Sequence, residues 1–486
     1  MAKTAPKIAT PAPRPPLFTG RDWDFPLLSR VYDAIGEIAE KELQLDIYPN
    51  QIEVISSEQM LDAYASTGMP LFYKHWSFGK HFVRNETLYR KGWQRLAYEI
   101  VINSSPCIVY IMEENSATMQ TLVLAHAAFG HNHFFKNNYC FKQWTDATSI
   151  LDYLDFAKKY VASCEDRYGQ ESVEQILDAA HALMSHGVHR YPGKHALDLK
   201  FEQRRLEERQ AFAEQHFSDL WRTLPKTAAG PKRDQDSDRR RQMLGLPEEN
   251  ILYFLEKNAP RLAGWQRELI RIVRKIAQYF YPQRQTQVMN EGWASYWHSR
   301  LLREADFLPS ATYVDCMKTH SDVVSPYAGD QQIALKLNPY HVGYVMWEHI
   351  IADAGVARAR EIMAQEDDFG FVRNYLNREL ADKMKLFSYS ARHDGEITVA
   401  DNNLDDLHEN ILAPKFNFGA PRVVVDELQK DGTLILKQES RIDGRGLELE
   451  RARKVLDYIA SIWRRPVKLL TLDAGDNEVW LTPGAT

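Results

Sequence analysis

The 486-residue chain has few cysteines, and their spacing excludes two kinds of site. The four cysteines are scattered, and no two of them form a Cys-x-x-Cys pair: Cys107, Cys140, Cys164 and Cys316. This spacing argues against a disulfide framework and against a zinc site built from thiolates. It is typical of a protein that stays in a reducing compartment. The sequence therefore predicts a cytoplasmic location.

Long apolar runs and an excess of positive charge are also missing. No stretch of about 18 consecutive apolar residues occurs, so the sequence predicts no membrane-spanning helix. The formal net charge is −6, which predicts no nucleic-acid partner. Residues 1–20 are rich in Pro, Ala and Lys but lack the apolar segment of a secretory signal. We expect them to form a flexible tail.

Several catalytic motifs are absent as well. The chain contains neither a glycine-rich phosphate loop followed by a helix nor a Ser-His-Asp nucleophile elbow. Acyl transfer through a serine or cysteine nucleophile therefore has no support in the sequence. Any chemistry must come from other residue types.

The apolar pattern predicts a predominantly helical α+β fold. Apolar residues make up 44% of the chain and charged residues 26%, as in ordinary globular proteins. Helical spacing dominates, beginning with a segment from Trp23 to about Leu61. Two short β-like runs, Glu99–Asn103 and Cys107–Met112, flank Ser104-Ser-Pro106 and predict a small hairpin near the candidate site.

Changes in composition predict three further divisions. Residues 21–413 are predicted to form the mainly helical core domain. Within it, residues 223–242 are rich in Pro, Gly, Lys, Asp and Arg, which predicts a mobile insertion. Residues 414–486 carry a β-β-α-β-β pattern with a Lys-Asp-Gly hairpin turn, which predicts a small α/β C-terminal module.

Histidines at the end of an apolar helical run are the first candidate ligands. The helix is predicted to start near Ser116, and Gly130 is predicted to end it as a left-handed residue. In a straight α-helix, His126 and His131 would lie roughly 140° apart around the axis. The pair can share a metal only if the turn at Gly130 folds His131 back. The alternative for either histidine is a hydrogen-bonded core residue.

A glutamate far along the chain is the third candidate ligand. The element Asn290-Glu291 resembles the helix that supplies the third, glutamate ligand in gluzincin metallopeptidases, although their His-Glu-x-x-His motif is absent. Two histidines and one carboxylate are a common three-ligand metal site with an open position. We therefore predict His126, His131 and Glu291 as metal ligands. Zinc is the expected ion, with iron or manganese as alternatives.

Two further residues are predicted to act in proton transfer. Glu114 follows a strand just before the histidine helix, and a carboxylate there is a candidate general base. His133 is the second candidate. Stabilisation of the helix N-terminus is the alternative role for Glu114.

Five segments together resemble the SpoVR (stage V sporulation protein R) family. In chain order they are Met69–Lys80, Met112–Asn115, Ala125–Tyr139, Asn290–Ala294 and Asn338–Tyr340. The resemblance covers nearly the whole chain. It implies links to sporulation, stress and cell-envelope physiology, and a PrkA-type serine protein kinase as a partner. It does not imply a reaction.

The functional expectation is a zincin-like, metal-dependent hydrolase. The envelope association of the family implies an amide bond in peptidoglycan, its precursors or a protein as the substrate. One alternative is a non-catalytic regulatory or scaffold protein that partners the kinase. A second alternative is a dinuclear iron or manganese carboxylate centre, for which the candidate ligands are Glu114, His126, Glu165, His181 and Glu291.

Overall fold

The computed structural model describes most of the chain, in eleven stretches. They are residues 15–65, 73–90, 98–190, 241, 243–326, 337–386, 388–391, 397–401, 403–439, 446–473 and 475–484. Of the insertion predicted at residues 223–242, all but Arg241 lies outside the described residues. Most of the predicted N-terminal tail lies outside them too. The chain forms two compact units, one from residues 1–162 and 280–415 and the other from 163–279 and 416–486.

Helices dominate both units, which confirms the predicted α+β class. Up to residue 190 they are α1 (Phe25–Glu37), the π-helical turn π1 (Ile38–Glu42), α2 (Ser57–Ala65), α3 (Trp76–Arg90), α4 (Ala117–Val123), the π-helix π2 (Leu124–His131), α5 (Asn132–Asn137), α6 (Tyr139–Trp144), α7 (Ile150–Tyr168) and α8 (Gln170–Ala182). After residue 243 they are α9 (Ile251–Asn258), α10 (Gly264–Gln285), α11 (Gln287–Glu304), α12 (Ser310–Val323), α13 (Pro339–Gln365), α14 (Asp368–Tyr375), α15 (Arg378–Lys383), α16 (Leu404–Leu412) and α17 (Leu449–Trp463).

The strands form three small sheets. They are β1 (Asn50–Ile55), β2 (Glu99–Ile102), β3 (Cys107–Met112), β4 (Ser388–Ala391), β5 (Ile397–Asp401), β6 (Val423–Leu428), β7 (Leu434–Gln438), β8 (Val467–Leu472) and β9 (Glu478–Leu481). None of the helices in the described part of the chain is both long enough and apolar enough to cross a membrane.

The three-stranded sheet of the first unit has the order β1-β3-β2. The antiparallel pairing of β2 with β3 confirms the predicted hairpin. The helix predicted from Trp23 to about Leu61 is wrong in its second half, because the chain leaves the helix after π1 and forms β1 parallel to β3. The segment Asn50–Ile55 contains both polar and β-branched residues, and its main chain pairs with a strand that comes 57 residues later, which a local helical pattern does not reveal.

Helix α11 lies at the centre of the first unit and packs against π2 and α13. Almost all of its faces are buried, including those with Trp293, Trp297 and Leu301. The crossing with α13 is formed by Gly292 and Gly343, where a Cβ on either residue would overlap the backbone of the other helix. This close approach requires glycine at both positions. It fixes the depth of α11 in the core.

The four-stranded sheet of the second unit has the order β6-β7-β8-β9. Strands β7 and β8 are parallel and are joined through α17, whereas the outer pairs are antiparallel. These elements match the predicted β-β-α-β-β pattern. The buried face of α17 carries Leu456, Ile459, Ile462 and Trp463, spaced as on an amphipathic helix.

Candidate metal centre

A π-helix brings His126 and His131 to the same side of the chain. Through π2 the helix widens, and the N–H of Asn132 donates to the carbonyl of Ala127, five residues earlier. With this i→i+5 pattern, side chains five residues apart return to about the same face. The two imidazole rings lie edge to face with their centroids 4.5 Å apart. In a regular α-helix they would point in different directions.

The predicted helix end at Gly130 is therefore wrong. The chain stays helical from α4 through π2 into α5, and Gly130 is not among the residues with positive φ. Its role is packing, because a Cβ at Gly130 would lie 2.7 Å from Cα of Ala294 on α11. The glycine lets the two helices approach each other closely. That approach brings Glu291 towards the histidines.

Glu291 faces both histidines from α11. Its Oε2 lies 3.5 Å from Nε2 of His131 and 3.9 Å from Nε2 of His126. The side chains are nearly enclosed, with exposed fractions of 4% for His126, 9% for His131 and 19% for Glu291. The three predicted ligands thus converge on one small volume. Their binding of a metal stays a prediction.

A second carboxylate, Glu99, reaches the same place from the start of β2. Its Oε1 lies 3.9 Å from Nε2 of His126, and donor atoms of Glu99, His126 and His131 all lie within 4.8 Å of one another. The sequence-based prediction missed Glu99. The available signal was one acidic residue at the head of an otherwise apolar strand in a hairpin expected near the site.

The other ring nitrogen of each histidine contacts a side chain of α11. Nδ1 of His131 lies 2.9 Å from Oδ1 of Asn290, so its N–H donates to that amide oxygen. Nδ1 of His126 lies 2.8 Å from Nδ1 of His298. Partners of this kind orient metal-binding imidazoles and fix which nitrogen carries the proton. For His131 the lone pair is on Nε2, the atom that faces Glu291.

Burial and mutual proximity set the charges of the cluster. Burial, together with nearby His126, lowers the pKa of His131 to about 4. Burial alone would raise the pKa of the Glu291 carboxyl, but His131 and His126 hold it below its ordinary value. Burial raises the pKa of the Glu99 carboxyl, and the charge of Glu291 adds to that shift. A neutral imidazole beside an ionised carboxylate is the protonation state that a metal requires.

Unsatisfied polar atoms give an independent test of whether the cluster fits a metal. Within the described part of the chain, Nε2 of His126 and Oε2 of Glu291 are buried and have no hydrogen-bond partner. Leaving such atoms unpaired costs about 1–3 kcal/mol each. Both atoms face the shared volume, and both are metal donors of the type that Zn²⁺, Fe²⁺ and Mn²⁺ accept. The residues present therefore fit a metal ion.

Tyr340 and His320 border the cluster from two other helices. The ring of Tyr340, at the start of α13, stacks on His126 with a centroid distance of 6.1 Å. Asn338 caps α13 by accepting from the N–H of Tyr340, which holds that ring in place. His320 of α12 lies with its Nδ1 2.7 Å from Nε2 of His298. The Asn338–Tyr340 motif thus supports the wall of the site.

Glu114 and His133 have other partners. The exposed Glu114 accepts a hydrogen bond from the N–H of Ser57. Nδ1 of His133 lies 2.9 Å from the carbonyl oxygen of Asp46, and its ring stacks on Trp293. None of these contacts involves the metal-site cluster.

The dinuclear alternative draws on residues in both compact units. Its candidate ligands Glu165 and His181 belong to the second unit, formed by residues 163–279 and 416–486. Glu99, His126, His131 and Glu291 all belong to the first unit. The observed cluster is therefore built without the residues that the dinuclear prediction added from α7 and α8.

Comparison with known proteins identifies the family. A family model described as SpoVR like protein matches residues 22–413, which include every residue of the cluster. The chain is 50% identical over 483 residues to the uncharacterized protein YcgB of Escherichia coli (strain K12), and this match covers 93% of each chain. No solved structure matches the chain. As its sequence motifs predict, the chain belongs to the SpoVR family.

Proposed function

We propose that the chain is a metal-dependent hydrolase whose ion is held by His126, His131 and Glu291. One observation carries the proposal: Nε2 of both histidines lies within 3.9 Å of the same carboxylate oxygen. Each Nδ1 is meanwhile engaged by Asn290 or His298. An ion pair needs only one imidazole per carboxylate, whereas two imidazoles and one carboxylate are a usual donor set of a three-ligand metal site, which supports the proposal.

Zinc is the ion that we propose, because imidazole and carboxylate donors suit it and because hydrolysis needs no redox-active metal. When bound in such a site, Zn²⁺ polarises a carbonyl group and lowers the pKa of a bound water to about 7. Three protein ligands leave one position for water or substrate. The half-buried ring of Tyr340 stacks on His126 beside the three residues that would hold the ion.

In this proposal Glu99 is the residue that accepts a proton from water and returns it to the leaving amine. Its Oε1 lies 3.9 Å from Nε2 of His126, within reach of the shared volume. The role that the sequence predicts for Glu114 and His133 stays a prediction, but their contacts with Ser57 and Asp46 favour Glu99 instead. A carboxylate next to the metal can accept a proton from water and return it to the leaving amine.

The substrate class follows from the family and not from the site. We propose an amide bond in peptidoglycan, its precursors or a protein, in keeping with the envelope and sporulation associations that the family resemblance implies. The rival role is a non-catalytic regulatory partner of a PrkA-type serine kinase. It predicts a protein that works equally well without a metal.

The experiment is metal analysis combined with a hydrolysis assay. Full-length protein without an affinity tag is stripped of metal and titrated with Zn²⁺, Fe²⁺ and Mn²⁺, and each form is incubated with peptidoglycan fragments and peptide amides. The proposal expects one bound Zn²⁺ per chain and amide cleavage that Glu99→Gln slows at least about tenfold without releasing the metal. Stoichiometric iron or manganese would favour the dinuclear centre, and failure to bind any of the three would favour the regulatory role.

A further inference from the structure

Three buried histidines form a continuous row that starts at the metal-site cluster. Nδ1 of His126 lies 2.8 Å from Nδ1 of His298, and Nε2 of His298 lies 2.7 Å from Nδ1 of His320. The residues are at most 7% exposed and come from three elements, π2, α11 and α12. We call His126, His298 and His320 the histidine row. Its last two members have no part in the ligand set proposed above.

Hydrogen bonding allows this row only two arrangements when the rings are neutral. A neutral imidazole has one N–H and one nitrogen lone pair, so in each contact one ring must donate and the other accept. If Nδ1 of His126 donates, then His298 must accept at Nδ1 and carry its proton on Nε2. His298 then donates to Nδ1 of His320. In the reverse arrangement every donor becomes an acceptor.

The two arrangements differ at the atom that faces the cluster. In the first, Nε2 of His126 has a lone pair directed at the volume shared with Glu291 and Glu99. In the second, the same nitrogen carries a proton and cannot bind a metal. All three rings are at most 7% exposed, and burial favours the neutral form of an imidazole.

We propose that His298 and His320 are positioning residues that hold His126 in its metal-binding tautomer, and that metal binding selects one arrangement of the whole row. This inference rests on the proposed metal site. The change from the reverse arrangement moves one proton from His298 to His126 and one from His320 to His298. One proton leaves Nε2 of His126 and one enters Nε2 of His320 from solvent, so all three rings stay neutral.

The far end of the row lies against α13. The ring of Tyr344 meets His320 edge to face, with centroids 4.9 Å apart, and the Tyr344 hydroxyl donates to Glu348. The ring of His320, whose tautomer differs between the two arrangements, therefore lies next to a tyrosine of α13 that is hydrogen-bonded to a carboxylate.

The direct test is the tautomer of each ring. Full-length protein with ¹⁵N-labelled histidine is studied by long-range ¹H–¹⁵N NMR, without metal and with one equivalent of Zn²⁺, and single substitutions assign the signals. We expect His298 and His320 to carry their protons on Nε2 in the zinc form. A zinc form in which His298 carries its proton on Nδ1 would overturn the proposal.

Variants of His298 test the energetic consequence. His298→Leu removes the acceptor for His126 and should weaken Zn²⁺ binding by about 10–100-fold, the usual cost of losing an outer partner of a ligand. His298→Asn keeps an oxygen acceptor and an N–H donor and should restore most of the affinity. If His298→Leu does not fold, His298→Asn and the wild-type NMR experiment still decide the question.

A matched control separates positioning from general damage. His408 is also a buried histidine of the first unit, and its Nε2 contacts the carbonyl of Leu376. His408→Leu should lower the melting temperature without changing the affinity for Zn²⁺. Equal losses of affinity in His298→Leu and His408→Leu would contradict a specific role for the row.

The test also distinguishes this inference from the proposed function. If wild-type protein binds Zn²⁺ but His298→Leu and His298→Asn bind it equally well, the histidine row is not a positioning device and the metal site stands. If wild-type protein binds no Zn²⁺ at millimolar concentration, both the metal site and this inference are wrong.

Discussion

The two compact units bury polar groups in different ways. In the sheet β6–β9, buried polar side chains are paired nearby, as in the contact between Thr471 and Gln438 or that between Thr433 and Asp431. Around π2 and α11, by contrast, Nε2 of His126 and Oε2 of Glu291 are buried and, in the described part of the chain, have no hydrogen-bond partner.

The contrast indicates that the sheet β6–β9 is organised for stability, whereas the region around π2 and α11 is also organised to bind a ligand. Burying an unpaired polar group costs free energy that a fold selected for stability alone would avoid. In the second unit, α17 presents an apolar face, and the side chains of Arg422 and Glu439 form an ion pair with each other. The first unit departs from that rule at several atoms of its described residues, and two of them, Nε2 of His126 and Oε2 of Glu291, lie 3.9 Å apart where imidazoles and carboxylates meet. We attribute that departure to a ligand.

The largest expected effect concerns the helix crossing that positions Glu291. Gly343→Ala should destabilise the first unit by about 3 kcal/mol or more, because the new Cβ would overlap the carbonyl oxygen of Val288 in a tightly packed crossing. The check is urea unfolding followed by circular dichroism. Gly79→Ala in α3 is the control, since nothing lies within 4 Å of its Cβ position. Equal stability of the two variants would contradict the close crossing.

The second prediction is that metal stabilises one unit selectively. At about 100 times its Kd, Zn²⁺ should stabilise the native protein by about 2.7 kcal/mol. Hydrogen exchange monitored by mass spectrometry should show increased protection in π2 and α11 and little change in β6–β9. His131→Ala should abolish the increase. Equal protection of both regions by Zn²⁺ would remove the distinction drawn between them.

The third prediction is a stronger acid sensitivity of the first unit without metal. Burial lowers the pKa of His131, His133 and His320 to about 4, below the ordinary value of 6.5. Between pH 6.5 and 4 the unfolded chain therefore binds more protons, so stability falls as the pH drops. The raised pKa of Glu99 opposes this trend.

Hydrogen exchange at pH 7 and pH 5, corrected for intrinsic rates, measures the difference. Protection should be lost more in α11 and π2 than in β6–β9, although His186 of the second unit also has a pKa lowered to about 4 by burial. Greater loss in the sheet would contradict the assignment of the main acid-sensitive groups to the first unit.

The smallest expected effects compare two glutamates. Glu99→Gln should leave Zn²⁺ bound and slow hydrolysis at least about tenfold, since its carboxyl lies beside His126 and is the proposed proton carrier. Glu114→Gln should change stability by less than about 0.5 kcal/mol and leave metal binding intact, because its carboxylate is exposed and accepts from the N–H of Ser57. A hydrolysis assay and a calorimetric Zn²⁺ titration of both variants measure these effects. A larger effect at Glu114 would restore the role that the sequence predicts for it.

Local patterns were enough to predict several elements. The hairpin of β2 and β3 and the β-β-α-β-β order of the C-terminal segment follow from alternating apolar residues and turn residues. The element Asn290-Glu291 pointed to the helix that faces the histidines. In each case the signal lies within about ten residues of sequence.

The geometry of the site could not be predicted in the same way. In an α-helix with 3.6 residues per turn, His126 and His131 would lie on different faces. Only the wider π-helix brings the two side chains together. Glu99 and His320 join through tertiary packing of β2 and α12, which leaves no trace in local periodicity. The division of the chain at residue 414 into separate domains stays a prediction.

The central claim is that π2 and α11 together hold one metal ion. The most direct measurement is elemental analysis of full-length protein purified without an affinity tag, compared with Glu291→Gln prepared in the same way. The account predicts close to one equivalent of zinc in the wild-type protein and a large loss in Glu291→Gln, with both proteins folded by circular dichroism. Equal metal content in the two proteins, or none in the wild type even after incubation with Zn²⁺, would contradict it.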